Sequence, residues 1–427
     1  MSAPAFPLAD ADKCVKCALC LPHCPTYKAS KDEGESPRGR ISLMQGLATG
    51  ALEITPRLEA HLDQCLACRA CEAVCPAEVP YGKLIDAARL ELERRGHGEP
   101  LHARLFAWAV RSNLRRRLLH RLLRLSERLG ITAWVQKSGP KSWRRLARLL
   151  PEPPKPRHWD PVYEPRKASG ESVSLFLGCV ADMSQPQITA SAIALLNALG
   201  IEVRIPEGQG CCGALDQHAG RPEQAARLAR ANLAAFTGDA PILGTASGCT
   251  ASLQEYDQVA GPDGMAFALR AQDIGAWLMR HPVLPKIEFK PWKARALVQS
   301  PCTLRNVLRA EKAAVDMLKL IPELKVKPLP ASLGCCGAAG SYMLTEPEKA
   351  DAFADAYAAV IQEQKPDVLI TSNVGCALHL KAALTRRGVN IAVLHPIEVL
   401  AQQLPDALYR PGLDITTRYR QNASFAP

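Results

Sequence analysis

Two cysteine runs constrain this chain more than any other feature. They are Cys14-x-x-Cys17-x-x-Cys20-x-x-x-Cys24-Pro25 and its later copy, Cys65-x-x-Cys68-x-x-Cys71-x-x-x-Cys75-Pro76. Three thiols at intervals of three let the backbone wrap one face of a compact inorganic cluster, and a proline after the fourth is expected to stop the local helix. Zinc and disulfide frameworks are the competing readings. Zinc sites more often use two Cys-x-x-Cys pairs, and two complete copies ending in Cys-Pro are hard to reach by chance. All 16 cysteines fall into recognisable groups, eight in these runs and eight after residue 178. Met1 to Asp12 shows no basic stretch followed by an apolar core. Such usage predicts thiolates kept for metal in the reducing cytoplasm. No window approaches the ~18 uninterrupted apolar residues that a membrane span needs.

The runs resemble those of bacterial two-cluster ferredoxins, in which the fourth cysteine of each run ligates the other cluster. That resemblance implies one [4Fe–4S] cluster on Cys14, Cys17, Cys20 and Cys75, and a second on Cys65, Cys68, Cys71 and Cys24. The 40 residues between Cys24 and Cys65 are too many for a compact hairpin and predict a helical version of the module. Ser36-Pro37-Arg38-Gly39-Arg40 reads as a turn feeding a helix over Ile41–Leu47, and Leu84, Ile85, Ala88 and Leu90 give helical spacing over Tyr81–Arg95.

At 427 residues the chain has room for several domains. The expected divisions are a helical cluster module over 1–97, a basic helical connector with a Pro-rich linker over 98–170, two repeated units over 171–290 and 291–410, and a tail over 411–427. The formal net charge is +11, yet residues 98–168 alone hold 17 Lys+Arg against 5 Asp+Glu. Basicity is therefore a local surface, not a property of the whole protein. Within it Leu114, Leu118, Leu122, Leu125 and Leu129 recur at helical spacing, with Arg111, Arg115, Arg117, Arg121, Arg124 and Arg128 on the remaining surface. The plainest expectation packs the leucines on the protein and leaves the arginines in water. Docking on an acidic partner or an anionic membrane surface is the competing one. Nucleic acid is not expected as a partner, because no recognised motif accompanies the charge.

The remainder is an internal repeat. Cys179 recurs as Cys302, Cys211-Cys212-Gly213 as Cys335-Cys336-Gly337, and Gly248-Cys249 as Gly375-Cys376, at offsets of 123, 124 and 127 residues. Each half opens on a strand running into its first cysteine, and strands then alternate with helices, which implies a parallel sheet. Residues just beyond the strand C-termini line the functional crevice of such sheets, and here those ends carry cysteines. The predicted fold class is multidomain: a mainly helical two-cluster module, then two repeated α/β Cys-Cys-Gly domains with parallel-sheet character.

Adjacent cysteines pair poorly with each other, so two side-by-side thiols with a permissive glycine suit a metal or cluster. The spacing Cys179–Cys211-Cys212-Gly213–Cys249 is similar to the cysteine-rich domain of heterodisulfide reductase subunits. With two ferredoxin runs in front, and with Ser36-Pro37-Arg38-Gly39-Arg40-Ile41 and the run Leu62 to Glu72, the chain resembles the glycolate oxidase iron–sulfur subunit family over roughly residues 8–405. The broader superfamily closes its motif with a further cysteine, where this chain has Ser252 in one half and His379 in the other. Four thiols per half remain: Cys179, Cys211, Cys212 and Cys249, then Cys302, Cys335, Cys336 and Cys376. They suit a further iron–sulfur cluster or zinc, and His379 is a subordinate candidate ligand.

No Gly-x-Gly-x-x-Gly follows a strand, so this chain is expected to bind no flavin or nicotinamide; the resemblance assigns FAD to partner flavoprotein subunits and implies no substrate-binding catalytic residue here. The resemblance implies an electron-transfer subunit of a multisubunit glycolate dehydrogenase, passing electrons from glycolate oxidation to a quinone or other membrane acceptor, peripheral on the cytoplasmic side. Alternatives keep the wiring with D-lactate or glycerol 3-phosphate, or make the Cys-Cys-Gly halves a thiol–disulfide reductase or a zinc-stabilised scaffold.

Overall fold

The computed structural model describes residues 6–408 apart from 151, 152 and 156, so the expected tail over 411–427 lies outside the described residues. The N-terminal module is helical. Ser36 caps the helix Pro37–Ala48, its Oγ accepting from the Gly39 N–H at 2.9 Å, and Pro37 occupies the first turn, where a missing N–H costs nothing. Helices Pro56–Asp63 and Tyr81–Arg94 complete a core of Ile41, Met44, Leu47, Leu62, Leu84, Ile85 and Leu92. The local 3-10 turn Leu21–His23 does end ahead of Pro25, but Pro25 also opens a new helix, Pro25–Ser30, because the first helical position tolerates proline.

Each repeat half builds a parallel sheet of the same order. The first has β1 (Val162–Tyr163), β2 (Ser172–Phe176), β3 (Glu202–Arg204), β4 (Ile242–Gly244) and β5 (Ala271–Asp273), ordered β1-β3-β2-β4-β5. The second has β6 (Ala294–Gln299), β7 (Leu324–Pro328), β8 (Val368–Thr371) and β9 (Ala392–Leu394), ordered β7-β6-β8-β9. Only β1 runs antiparallel, at an edge. In both halves the order reverses between the strands that lead into the first and last cysteines, β2 beside β4 and β6 beside β8. That reversal is the topological switch point, where parallel sheets open a crevice. Each half ends on a further parallel strand, β5 and β9, and the first half alone adds the antiparallel edge strand β1.

The two halves share one core, in which Val173, Leu175, Ile193 and Leu278 join Ala296, Val298, Leu318, Ile397 and Leu400. At the seam, His395 caps the helix Pro396–Gln402 and its Nε2 donates to the Thr245 carbonyl at 2.8 Å, while the Glu398 carboxylate accepts from the His395 N–H at 2.8 Å. Burial pushes the Glu398 carboxyl from its ordinary 4.5 up to about 7 and holds the His395 imidazole down to about 4. The signs oppose. Folded Glu398 keeps a proton the unfolded chain has lost, so its contribution is present below 4.5 and is lost as pH rises through about 7; His395 loses stability as pH falls from 6.5 towards about 4. Glu398→Gln removes the first term alone. In thermal or denaturant unfolding it is expected to exceed the parent by about 1–3 kcal/mol at pH 8, with the gap closing by about pH 5. An equal gain at both pH values would contradict this assignment.

The basic connector forms helices Leu101–Arg111, Asn113–Arg128, Ile131–Ser138 and Lys141–Leu149. Here the plainest expectation fails. Leu114, Leu118, Leu122, Leu125 and Leu129 are all exposed, from 51% to 77%, whereas the buried positions of Asn113–Arg128 are Arg116 and His120. Arg116 is drawn inward by hydrogen bonds, Nη1 to the Val110 carbonyl at 2.9 Å and Nη2 to Asn113 Oδ1 at 2.5 Å. Among the described residues no helix is long and apolar enough to cross a membrane.

Candidate functional site

The two N-terminal runs share an uncommon backbone. Lys16 and Ala18 flank Cys17 with φ of 58° and 70°, and Ala67 and Arg69 flank Cys68 with φ of 46° and 55°. Left-handed non-glycine residues cost roughly 1–2 kcal/mol each, and finding them at matching positions of both runs marks a functional constraint. They curl the chain so that the thiols turn to one side. Cys14, Cys17, Cys20 and Cys75, with Cys71, line one cavity closed by Ile41, Val79 and Tyr81. Cys24 is buried beside the other run. Its Sγ lies 3.3 Å from Thr26 Oγ1 and 3.6 Å from the Glu35 carbonyl, and its charge is felt at Cys68 and Cys71. Burial, reinforced by the neighbouring Cys302 thiol, pushes Cys68 far up; burial together with Cys68 and Cys65 does the same to Cys71. Thiols so enclosed become good ligands once a cationic metal offsets the desolvation. The donor set therefore fits two iron–sulfur clusters.

In each repeat half the thiols follow one another along the strand ends. Cys179 Sγ lies 3.6 Å from Cys211 Sγ; in the second half Cys302 and Cys335 are 3.9 Å apart, and Cys336 and Cys376 2.9 Å. Cys212 in turn neighbours Cys249. Gly213 and Gly337 sit at φ of 90° and 82°, and a Cβ on Gly337 would stand 2.5 Å from the Ala350 carbonyl oxygen. The glycine thus permits both the turn and the close approach. Its N–H points back at the first thiol of the pair, 3.5 Å to Cys211 Sγ and 3.4 Å to Cys335 Sγ. The Cys179 hydrogen bond lowers the Cys211 thiol, but Cys212 and burial outweigh it and leave Cys211 pushed up to about 12. Among the described residues no three His, Cys, Asp or Glu side chains converge tightly enough to enclose a bare metal ion. Each quartet supplies the thiolate donors that either an iron–sulfur cluster or zinc takes.

His379 is corrected as a ligand candidate. It is fully buried, with Nδ1 3.0 Å from the Cys336 carbonyl and Nε2 3.2 Å from Asp351 Oδ1, so both ring nitrogens are engaged. It braces the backbone of a cysteine instead. Asn232 and Tyr256 do the same in the first half, reaching the Cys211 and Cys212 carbonyls at 3.0 Å each. Ser252 is buried.

The tertiary structure also joins sites that lie far apart in sequence. The Asn306 amide donates to the Cys68 carbonyl at 2.7 Å, setting the helix Cys302–Asn306 directly on the second run. Arg89 donates to the Cys65 carbonyl at 2.7 Å and to the His218 carbonyl at 3.0 Å, tying the same run to the first half. Arg69 pairs with Glu72 and with Glu255. No sequence signal distinguishes Asn306, Arg89 or Arg69 from ordinary polar residues.

Comparison with known proteins agrees with this architecture. A 4Fe-4S dicluster domain matches residues 10–79, and a cysteine-rich domain matches twice, over 173–254 and 296–381. The chain is 31% identical over 422 residues to the probable glycolate oxidase iron-sulfur subunit of Bacillus subtilis strain 168, covering 91% of this chain and 93% of that one. It is 32% identical over 404 residues to the glycolate oxidase iron-sulfur subunit of Escherichia coli K12, covering 92% and 93%. Lactate utilization protein A 2 of Bacillus cereus strain 03BB102 is 28% identical over 243 residues, 54% of this chain and 98% of that protein.

Proposed function

Since the chain belongs to the glycolate oxidase iron–sulfur subunit family, we propose that it is the electron-transfer subunit of a glycolate dehydrogenase complex. In this reading partner flavoprotein subunits oxidise glycolate to glyoxylate on FAD, and this chain relays the electrons to a quinone or other membrane acceptor on the cytoplasmic side. Cys14, Cys17, Cys20 and Cys75 would hold one [4Fe–4S] cluster, and Cys65, Cys68, Cys71 and Cys24 the other. When bound, the clusters supply one-electron steps between a two-electron flavin and its acceptor. The chain's own residues do the rest. The left-handed turns present the thiols, and Arg89 and Asn306 fix the second run's carbonyls.

The observation that carries the proposal is the adjacency of Cys68 and Cys302 across a domain boundary, with Asn306 bridging them. It sets a thiol of the dicluster module near the first thiol of the second Cys-Cys-Gly half, which supports electron passage between the two. The Cys-Cys-Gly quartets are proposed as a further cluster site. The lactate utilization relatives favour a second reading with the same wiring and D-lactate or another 2-hydroxy acid as substrate. Glycolate is preferred because both glycolate oxidase relatives match essentially the full chain, and the lactate protein about half of it.

The test is anaerobic affinity purification from the native cell, then dye reduction by the co-purified complex with glycolate, D-lactate and glycerol 3-phosphate. Preferential glycolate turnover by a flavin-containing complex is expected. A cluster-loaded chain that purifies without flavin or any of these activities would refute the proposal.

A further inference from the structure

The connector carries an exposed surface that the electron-transfer role does not use. Leu114, Leu118, Leu122, Leu125 and Leu129 form one outward stripe along Asn113–Arg128, about 22 Å long at helical rise. Arg117, Arg121 and Arg128 run along its edge and are themselves exposed. The neighbouring connector helices expose Leu105, Trp108, Trp134, Trp143 and Leu146 as well. These ten are half of the exposed large apolar side chains among the described residues, gathered in one segment of the chain.

We propose that this face is a docking surface for an anionic phospholipid bilayer, seating the connector helices in the headgroup layer without crossing it. Charge complementarity selects this occupant. Residues 101–150 hold 13 Lys+Arg and a single acidic residue, Glu127. Three of those arginines are paired within the protein, Arg104 with Glu93, Arg111 with Asp216 and Arg145 with Asp351. Arg121, Arg124, Arg128, Arg144 and Arg148 form no ion pair among the described residues. A surface of one sign, interleaved with leucine and with three exposed tryptophans on the same segment, matches a sheet of phosphates over hydrocarbon. A protein partner would be met by mixed charges, and leucine is under-represented among the residues that dominate such interfaces.

The inner face of the same segment reaches the redox sites. Val110, opposite the exposed Leu105 and Trp108, packs with Cys179 and Cys211 of the first half. Docking would therefore bring one Cys-Cys-Gly site within a helix diameter of the membrane. The inference rests on the peripheral placement proposed above, but its test reads vesicle binding and not electron transfer, so either can fail alone.

The test is co-sedimentation of the full cluster-loaded chain with phosphatidylcholine vesicles, with and without about 30% phosphatidylglycerol, over a range of salt. Binding is expected to be at least about tenfold stronger to the anionic vesicles and to weaken with salt. Leu118→Glu with Leu122→Glu should lower it about tenfold or more, and Arg121→Glu with Arg128→Glu should erase the anionic preference. These side chains lie in solvent, so melting temperature and cluster absorbance should not move. Equal binding to both vesicle types, or full binding by the leucine double variant, would overturn the proposal. So would vesicle binding that survives while the leucine double variant breaks up a dimer or the flavoprotein complex, because the stripe would then be a protein interface.

Discussion

Cys68→Ser is expected to leave a folded chain short of about four irons, with electron delivery to a quinone abolished and dye reduction at the partner flavin intact. The argument is one of position. Cys68 is flanked by left-handed residues on both sides, its carbonyl is held by Asn306 at 2.7 Å, and its thiol neighbours Cys302 of the second repeat half. A serine hydroxyl fills the same space but is a much weaker ligand for a cluster iron than a thiolate, so the change weakens one ligand position without opening a cavity. Iron and sulfide analysis, the visible absorption of the purified subunit, and paired assays with a flavin-level dye and a quinone report the outcome. Full iron content with unchanged quinone reduction would mean that the wiring runs elsewhere. Loss of both activities with loss of flavin would mean that Cys68 matters for assembly.

Arg40→Met is expected to destabilise the N-terminal module by about 3–5 kcal/mol and to lower cluster occupancy with it. Arg40 is 1% exposed. Its Nε donates to the His61 carbonyl at 2.6 Å, and Nη1 to Thr26 Oγ1 at 2.9 Å and the Glu35 carbonyl at 2.6 Å. Nη2 pairs with the Glu35 carboxylate, which His61 Nδ1 also approaches at 2.8 Å. Thr26 and the Glu35 carbonyl are the two groups that touch the Cys24 thiol, so the guanidinium braces the loop that presents a proposed cluster ligand. Methionine fills much of the space but leaves Glu35 buried without its cation. Arg40→Lys should rescue little, since a point charge does not replace a planar fork that reaches four groups. Thermal unfolding with iron per chain measures both effects. A variant within about 0.5 kcal/mol of the parent and fully loaded with iron would show that the Glu35–Arg40 pair is dispensable.

The Ser36-to-Arg40 phrase shows how far reading along the chain reaches. The turn and the following helix are legible, because a serine cap and a proline in the first turn act through adjacent backbone. The burial of Arg40 is not, because arginine is ordinarily exposed and its partners lie at Thr26, Glu35 and His61. The strand-to-cysteine placement in both halves was legible from the repeat. Strands β5 and β9 are not legible, because three residues are too few to show an alternation. The spacing of His379 from Cys376 suggests a ligand, but its ring is spent on Cys336 and Asp351, contacts that only the fold brings together.

The leucines of Asn113–Arg128 mark the boundary most clearly. Their helical spacing says that they share a face, and the fold decides that this face points away from the protein, with Arg116 and His120 turned inward. By itself the sequence determined the inventory of thiols, their grouping into two runs and two quartets, the repeat, and the helices and strands that carry them. These follow from spacing, which backbone geometry enforces over a few residues. Only the tertiary structure decided that Cys302 meets Cys68, that Arg89 links Cys65 to His218, and that the leucine stripe is left uncovered. Such contacts join residues far apart in the chain, and they depend on how whole surfaces pack rather than on any local periodicity.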